Sequence, residues 1–122
     1  MTNILIVDDE VDTIRMLTTA LGLFGFTVLP AYSGAEAVTE FQKHQPAAVV
    51  LDLMLPDVDG YEVARRLRAL PGTAGVPIMV LSATADIAAE QQSRAAGATH
   101  FFRKPMNIRT LAEALQAAIG KR

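Results

Sequence analysis

Short apolar runs alternate with helix-like segments along the whole chain, and this alternation constrains the fold more than any other feature. The apolar runs predict five strands, at residues 3–7, 26–30, 47–51, 78–82 and 99–102. Helical spacing and capping residues predict five helices, at residues 10–23, 33–43, 61–70, 86–96 and 107–119. Strict alternation with short connections predicts a doubly wound α/β fold, in which helices cover both faces of a five-stranded parallel sheet.

The length and composition fit a single domain spanning residues 1–122. No apolar run approaches the roughly 20 residues of a membrane span, and the chain starts directly in a strand without a signal peptide. The absence of cysteine excludes thiolate catalysis, Cys-ligated zinc and disulfides. The net charge of −2 argues against a DNA-binding surface spread over the domain. We therefore expect a cytoplasmic protein that contacts neither nucleic acid nor a membrane directly.

Acidic residues stand at the carboxyl ends of two predicted strands. Asp8 and Asp9 follow the first strand, and Asp52 follows the third. Doubly wound folds bind ligands beyond the carboxyl ends of their strands. If these two strands are parallel neighbours, three carboxylates converge there, which is unfavourable unless a cation binds. An all-oxygen set of this kind favours Mg²⁺ over zinc.

A hydroxyl and a lysine stand at the ends of two other strands. Ser82 ends the fourth strand, and Lys104 lies just beyond the fifth. A cation, an ammonium and a hydroxyl together suit a phosphoryl group, and a carboxylate can itself be the nucleophile. Asp52 is the best candidate for that nucleophile because it stands alone on the central strand, facing the acidic pair.

These residues belong to four motifs that together resemble the receiver domains of bacterial two-component response regulators, including the chemotaxis receivers. Each motif lies at the end of a predicted strand, and the resemblance covers the whole chain. The motifs are Val7-Asp8-Asp9-Glu10, Leu51-Asp52-Leu53-Met54-Leu55-Pro56 with Asp59-Gly60, Leu81-Ser82-Ala83, and Lys104-Pro105. The resemblance implies a flavodoxin-like receiver fold with strand order 2-1-3-4-5.

The resemblance also implies a role for each acidic residue in a phosphorelay. Asp52 would accept a phosphoryl group from a histidine kinase or a histidine phosphotransfer domain, which makes the chain a phosphoprotein that carries an aspartyl phosphate. Asp9, Asp52 and the backbone carbonyl of Met54 would bind Mg²⁺ directly, with Mn²⁺ able to substitute. Asp8 would act mainly through water.

The remaining site residues would bind the phosphoryl group once it is attached. Lys104 would contact its oxygens, together with the backbone of Leu53 and Ala83. The peptide bond between Lys104 and Pro105 would be cis. The domain would lose the phosphoryl group slowly by itself, so it would not be a turnover enzyme.

Two residues would link phosphorylation to a change of surface. Ser82 would turn toward the phosphoryl group, and Phe101 takes the place of the family's switch aromatic, where tyrosine is frequent. The surface formed by the fourth helix, fifth strand and fifth helix would then control an output domain or partner. The fourth helix is expected to pack weakly because its apolar face consists of Ile87 and alanines. Homodimers linked to activation are common in the family, and the sequence leaves the oligomeric state open.

Other interpretations of the same residues remain. The chain could be a receiver-like protein-binding module that is never phosphorylated, against which the intact acidic set and Lys104 argue. A phosphatase that uses an aspartyl phosphate would need an acidic residue beside the nucleophile. The residue two positions after Asp52 is Met54, which cannot serve as that acid, so the sequence argues against a phosphatase. Asp57 and Asp59 are interpreted as a turn and an N-cap. The arginine cluster at 65–68 is interpreted as a solvated helix face.

Overall fold

The computed structural model describes residues 2–83 and 86–120, in which strands and helices alternate. The strands are β1 Thr2–Val7, β2 Phe26–Ala31, β3 Ala48–Asp52, β4 Ile78–Ser82 and β5 His100–Arg103. The helices are α1 Val11–Gly22, α2 Gly34–His44, α3 Gly60–Arg68, α4 Ile87–Ala95 and α5 Ile108–Gly120. Every predicted element is present, and no bound differs by more than two residues from the one expected.

The five strands form one parallel sheet in the order β2-β1-β3-β4-β5, which confirms the predicted architecture. In this order β1 and β3 are neighbours, with Val7 paired to Leu51. The next residue on each strand is therefore an aspartate, Asp8 beside Asp52. The third strand is central, and its carboxyl end is flanked on both sides by other strand ends.

Alternation along the strands divides the core into two halves. On β1, Ile4 and Ile6 face one side of the sheet, whereas Leu5 and Val7 face the other. Helices α1 and α5 cover the first side, and α2 and α3 cover the second. The helix residues buried in these halves are Ile14, Leu17, Leu21, Leu111, Ala112 and Leu115 on the first side, and Ala37, Phe41, Val63, Ala64 and Leu67 on the second.

Side-chain caps mark the start of α3, α4 and α5 at the edge of the sheet where the strands end. A backbone N–H in the first turn donates to Oδ1 of Asp59 at 2.8 Å in α3, of Asp86 at 2.7 Å in α4, and of Asn107 at 2.8 Å in α5. Each cap satisfies an amide that has no partner inside its helix, which stabilises the helix by about 1 kcal/mol. The predicted N-cap role of Asp59 is confirmed.

Helix α4 packs through small residues. Ala89 and Ser93 are buried, and the hydroxyl of Ser93 donates to the carbonyl of Ala89 at 2.9 Å. Ile87 is 75% exposed, so the expectation that it lies on the apolar face is wrong. The buried face repeats at positions three and four apart, and Ile87 lies two residues before Ala89, on a different side of the helix.

Arg68, at the end of α3, is half-buried and braces two loops. Its Nε donates to the carbonyl of Gly97 at 2.9 Å, and its Nη1 donates to the carbonyl of Thr73 at 2.7 Å. Burial lowers the pKa of the Arg68 guanidinium. The solvated-face interpretation is therefore wrong for Arg68, whereas it holds for the other two arginines of the cluster, which pair with Glu62 at the surface.

Candidate functional site

Asp52 is the last residue of β3, where the central strand opens into the loop before α3. The residue is 8% exposed, and both of its carboxylate oxygens are held. Oδ1 accepts the backbone N–H of Met54 at 2.9 Å, and Oδ2 accepts Nζ of Lys104 at 2.7 Å. An ammonium–carboxylate bond of this length is a strong charge-assisted hydrogen bond. The carboxylate is therefore held in one orientation by two hydrogen bonds.

Asp8 lies beside Asp52 because β1 and β3 are neighbours in register. Its Oδ1 accepts the backbone N–H of Glu10 at 2.9 Å, and its Oδ2 lies 3.6 Å from Nζ of Lys104. One ammonium therefore bridges two buried carboxylates. Two of the three carboxylates predicted to converge, Asp8 and Asp52, therefore meet at Lys104, just beyond the end of β5.

Burial and neighbouring charges shift the pKa values of this group. Burial raises the pKa of Asp8, and the Asp52 carboxylate raises it further, against the opposing effects of the Glu10 N–H and of Lys104. Burial alone would lower the pKa of Lys104, but its bonds to Asp52 and Asp8 outweigh that effect and the pKa is raised. Lys104 is thus charged at neutral pH, while an ionised Asp8 is held there at an electrostatic cost.

Asp9 and Glu10 extend the acidic edge toward solvent. One carboxylate oxygen from each of Asp8, Asp9 and Glu10 lies within 4.8 Å of the others. Asp8 is buried, whereas Asp9 and Glu10 are exposed. Glu10 is not among the predicted metal ligands. It occupies the N-cap position of α1, yet its side chain makes no capping bond. Its place as the third consecutive acidic residue is the sequence feature that could have indicated a role in metal binding.

The end of β4 is joined to the lysine through the backbone. Ser82 is 5% exposed, and its carbonyl accepts the backbone N–H of Lys104 at 2.8 Å. The peptide bond between Lys104 and Pro105, which the resemblance predicts to be cis, is cis in the structure. Ala83 follows Ser82 directly and is exposed. Serine, lysine and the acidic residues therefore share one edge of the sheet.

Phe101 lies within β5 rather than at its end. It is half-buried and packs against the core half beneath α2 and α3, whereas Phe102 packs against the other half. The ring of Phe102 stacks with that of His100 at 6.1 Å between centroids. Phe101 is thus the predicted site residue that lies farthest into the body of the sheet, and it faces the same side as the buried Ala96, which directly follows α4.

The loop from Asp52 to Gly60 is closed at its base. The N–H of Gly60 donates to the carbonyl of Leu53 at 2.9 Å. A Cβ on Gly60 would lie 2.5 Å from Cα of Leu53 and 2.8 Å from the carbonyl oxygen of Asp52. The close approach of these two backbones requires glycine. The side chain of Met54, within the loop, is exposed. The fold of the loop therefore positions the backbone of Met54 and not its side chain.

The fold and this acidic edge define a doubly wound α/β protein with an anionic site at the carboxyl ends of its strands. A family model for the response regulator receiver domain matches residues 4–116. The chain therefore belongs to the receiver domains of two-component response regulators. None of the helices in the described part of the chain is long and apolar enough to cross a membrane.

Relatives in sequence and structure agree with this assignment. The chain is 37% identical over 121 residues to the transcriptional regulatory protein KdpE of Mycobacterium tuberculosis. The alignment covers 99% of this chain and 52% of KdpE. The curated relatives it matches are about twice its length. The chemotaxis protein CheY4 of Vibrio cholerae superposes with a TM-score of 0.91 at 30% identity, covering 97% of this chain and 98% of CheY4. A CheY-like receiver domain protein of Methanospirillum hungatei superposes with a TM-score of 0.91 at 25% identity, covering 99% and 95%.

Proposed function

We propose that Asp52 accepts a phosphoryl group from a phosphorylated histidine of a histidine kinase or a histidine phosphotransfer domain. The observation that carries this proposal is the position of Asp52: a nearly buried carboxylate at a strand end, 2.7 Å from an ammonium. An oxygen of Asp52 forms a bond to phosphorus as the phosphorus–nitrogen bond breaks. The electron pair of that bond leaves on the imidazole, and an acyl phosphate remains on the chain.

The oxygen donors at this edge fit Mg²⁺, or Mn²⁺ in its place. Asp9, Asp52 and the carbonyl oxygen of Met54 would hold the ion, with Asp8 acting through water. Asp8, Asp9 and Asp52 carry three negative charges against the single positive charge of Lys104, and the two that remain match a divalent cation. The bound ion would supply neutralisation of the phosphoryl oxygens during transfer. Glu10 is a further carboxylate within reach of this cluster.

Lys104 has a second use after transfer. Phosphorylation converts the Asp52 carboxylate into an acyl phosphate, whose charge lies on the phosphoryl oxygens. Lys104 would then exchange its bond to Asp52 for bonds to those oxygens, because an ammonium binds the stronger anion. The backbone N–H groups of Leu53 and Ala83 would bind the others, and the hydroxyl of Ser82 would turn toward them. The acyl phosphate would hydrolyse slowly, so the domain acts as a switch and not as a turnover enzyme.

The switched surface consists of α4, β5 and α5. A backbone hydrogen bond between Ser82 and Lys104 links the end of β4 to the residue that follows β5. Helix α4 packs through small residues only, which supports its assignment as the element that moves. We assign residues 1–122 to one cytoplasmic receiver domain. The name of the longer relative KdpE supports control of transcription as the output, exerted by a segment other than this one.

Intact mass after incubation with Mg²⁺ and acetyl phosphate tests the proposal. Wild type should gain one phosphoryl group, and EDTA should abolish the gain. Asp52→Asn, which removes the nucleophile with little change of shape, should gain nothing. If folded, Mg²⁺-bound wild type fails to react with acetyl phosphate and with phosphorylated kinases alike, the protein is a binding module that works without phosphorylation.

A further inference from the structure

Asp57 lies in the middle of the loop between β3 and α3, yet its side chain caps a different helix. Oδ1 of Asp57 accepts the N–H of Gly34 at 2.8 Å, and Oδ2 accepts the N–H of Ala35 at 3.0 Å. These are the first two residues of α2, and they are 23 and 22 residues distant in sequence. The predicted turn at Asp57 is therefore also a tertiary contact.

Helix α2 already has a cap of its own. The hydroxyl of Ser33 accepts the N–H of Glu36 at 3.2 Å, and the Glu36 carboxylate accepts the N–H of Tyr32 at 3.2 Å. Local residues thus satisfy the third amide of the helix, and Asp57 satisfies the first two. The helix dipole and two N–H bonds favour a carboxylate at this position. The bond from Gly34 is the main cause of the lowered pKa of Asp57.

Packing reinforces the same contact. A Cβ on Gly34 would lie 2.5 Å from Cγ2 of Val58 and 3.4 Å from Oδ1 of Asp57. The loop therefore lies directly on the backbone of α2 at Gly34, where a larger residue would push it away. Val58 and Leu55 pack against the core half beneath this helix. The middle of the loop is held by one bidentate hydrogen bond and one close apolar contact.

Besides the packing of Leu55 and Val58, hydrogen bonds fix the loop at three points. Its base is closed by the bond from Gly60 to Leu53, its first turn by the bond from Met54 to Asp52, and its middle by Asp57. Residues 54–56 are the short span between the last two of these points. The direction of the Met54 carbonyl depends on the path of this span, since the exposed Met54 side chain does not anchor it.

We propose that Asp57 is a positioning residue for the metal site: by capping α2 it sets the path of residues 54–56 and so aims the Met54 carbonyl at the cation. This inference rests on the proposed function, in which that carbonyl is a Mg²⁺ ligand. The alternative is that Asp57 only stabilises α2. Removal of groups that orient a metal ligand typically lowers metal affinity by about 10- to 100-fold. Asp57 acts through the backbone, so we expect the lower end, about 10-fold.

The experiment is a Mg²⁺ titration of the full chain followed by backbone amide NMR, which gives a dissociation constant for each variant. Asp57→Ala should raise the constant about 10-fold, and Asp57→Asn, which keeps one acceptor oxygen, should raise it less. Ser33→Ala removes a cap from the same helix without touching the loop and should leave the constant unchanged. Asp59→Asn removes one negative charge from the same loop while keeping its cap, so it should change the constant by less than about twofold.

Amide hydrogen exchange of residues 53–58 in EDTA supplies a second readout that needs no metal. Exchange should be faster in Asp57→Ala than in wild type, and unchanged in Ser33→Ala. Equal Mg²⁺ affinity in wild type and Asp57→Ala would overturn the inference and leave the proposed function intact. An equal loss of affinity in Ser33→Ala would show that Asp57 acts only as a cap of α2. An equal loss in Asp59→Asn would show that Asp57 acts only through its negative charge. Either result would overturn the inference. A wild type that binds no Mg²⁺ would overturn both.

Discussion

Replacing Lys104 with methionine should destabilise the metal-free chain, and Mg²⁺ should recover most of the loss. Nζ of Lys104 lies 2.7 Å from Asp52 and 3.6 Å from Asp8. At an effective dielectric constant of about 20, the two attractions are about 6 and about 5 kcal/mol. Desolvation of the three groups offsets most of this, which leaves a net stabilisation of about 2 kcal/mol for the charged hydrogen bonds. Methionine retains the apolar stem and removes the charge.

That loss is large enough to measure in a domain of this size. For 122 residues, an unfolding entropy of about 2.1 cal/mol/K per residue converts about 2 kcal/mol into a decrease in Tm of about 8 °C. Without Lys104, Asp8 and Asp52 repel each other with no cation between them. A bound divalent cation neutralises the same carboxylates, so the difference between wild type and variant should shrink when Mg²⁺ is present.

Urea denaturation followed by circular dichroism, in EDTA and in excess MgCl₂, measures both parts. Lys43→Met is the matched control, because Lys43 is exposed on α2 and its loss should change stability by less than about 0.5 kcal/mol. Lys104→Met should be less stable than wild type in EDTA, by about 2 kcal/mol, and by less than half of that in MgCl₂. A difference of equal size in both solutions would refute the idea that lysine and metal neutralise the same charges.

Three further outcomes follow from the structure. Gly60→Ala should cost about 3 kcal/mol of unfolding free energy, because its methyl would lie 2.5 Å from the backbone of Leu53; Gly22→Ala, with open space around it, should stabilise by about 0.5 kcal/mol, and equal effects in urea denaturation would contradict the clash. Asp57 has a pKa below its ordinary 3.8, so the stability it contributes is present above pH 3.8 and is lost as the pH falls through the lower folded-state pKa. The stability difference from Asp57→Asn should therefore close in acid, and a constant difference would argue against the cap. Acetyl phosphate should slow amide exchange in α4 of wild type and not of Asp52→Asn; unchanged exchange in both would exclude α4 from the switch.

The site could be predicted from the sequence to the extent that strand ends determine it. Asp8, Asp52 and Ser82 directly follow apolar runs, and Lys104 lies two residues beyond one. A parallel sheet brings such positions to one edge whatever the details of packing. The neighbouring position of the first and third strands came from the resemblance, since the residues alone leave the strand order open. The strand order in turn decides that Asp8 lies beside Asp52.

Contacts between distant segments could not be predicted from the sequence. Aspartate is common in turns, so the sequence around Asp57 indicates only a turn. Its bond to Gly34 depends on how the loop lies across α2. Arg68 resembles a surface arginine until the carbonyl of Gly97 is brought within reach. The prediction that Ile87 lies on the buried face of α4 is wrong because an alanine-rich helix has little difference in polarity between its faces. The one large apolar residue then determines the predicted buried face, and in α4 that residue is exposed.

The hydrogen bond from Arg68 to Gly97 fixes the chain just beyond the end of α4. Gly97, two residues beyond the helix, is held by the guanidinium, and a Cβ there would lie 2.5 Å from Cγ of Arg68. The other end of α4 begins at the exposed Ile87 and is capped by Asp86, the residue just before it. Nine residues of helix form a lever about 13 Å long, so a tilt of about 10° at Gly97 moves Ile87 by about 2 Å. A rearrangement beside the sheet that tilted α4 about Gly97 would therefore displace the solvent-facing start of the helix the most.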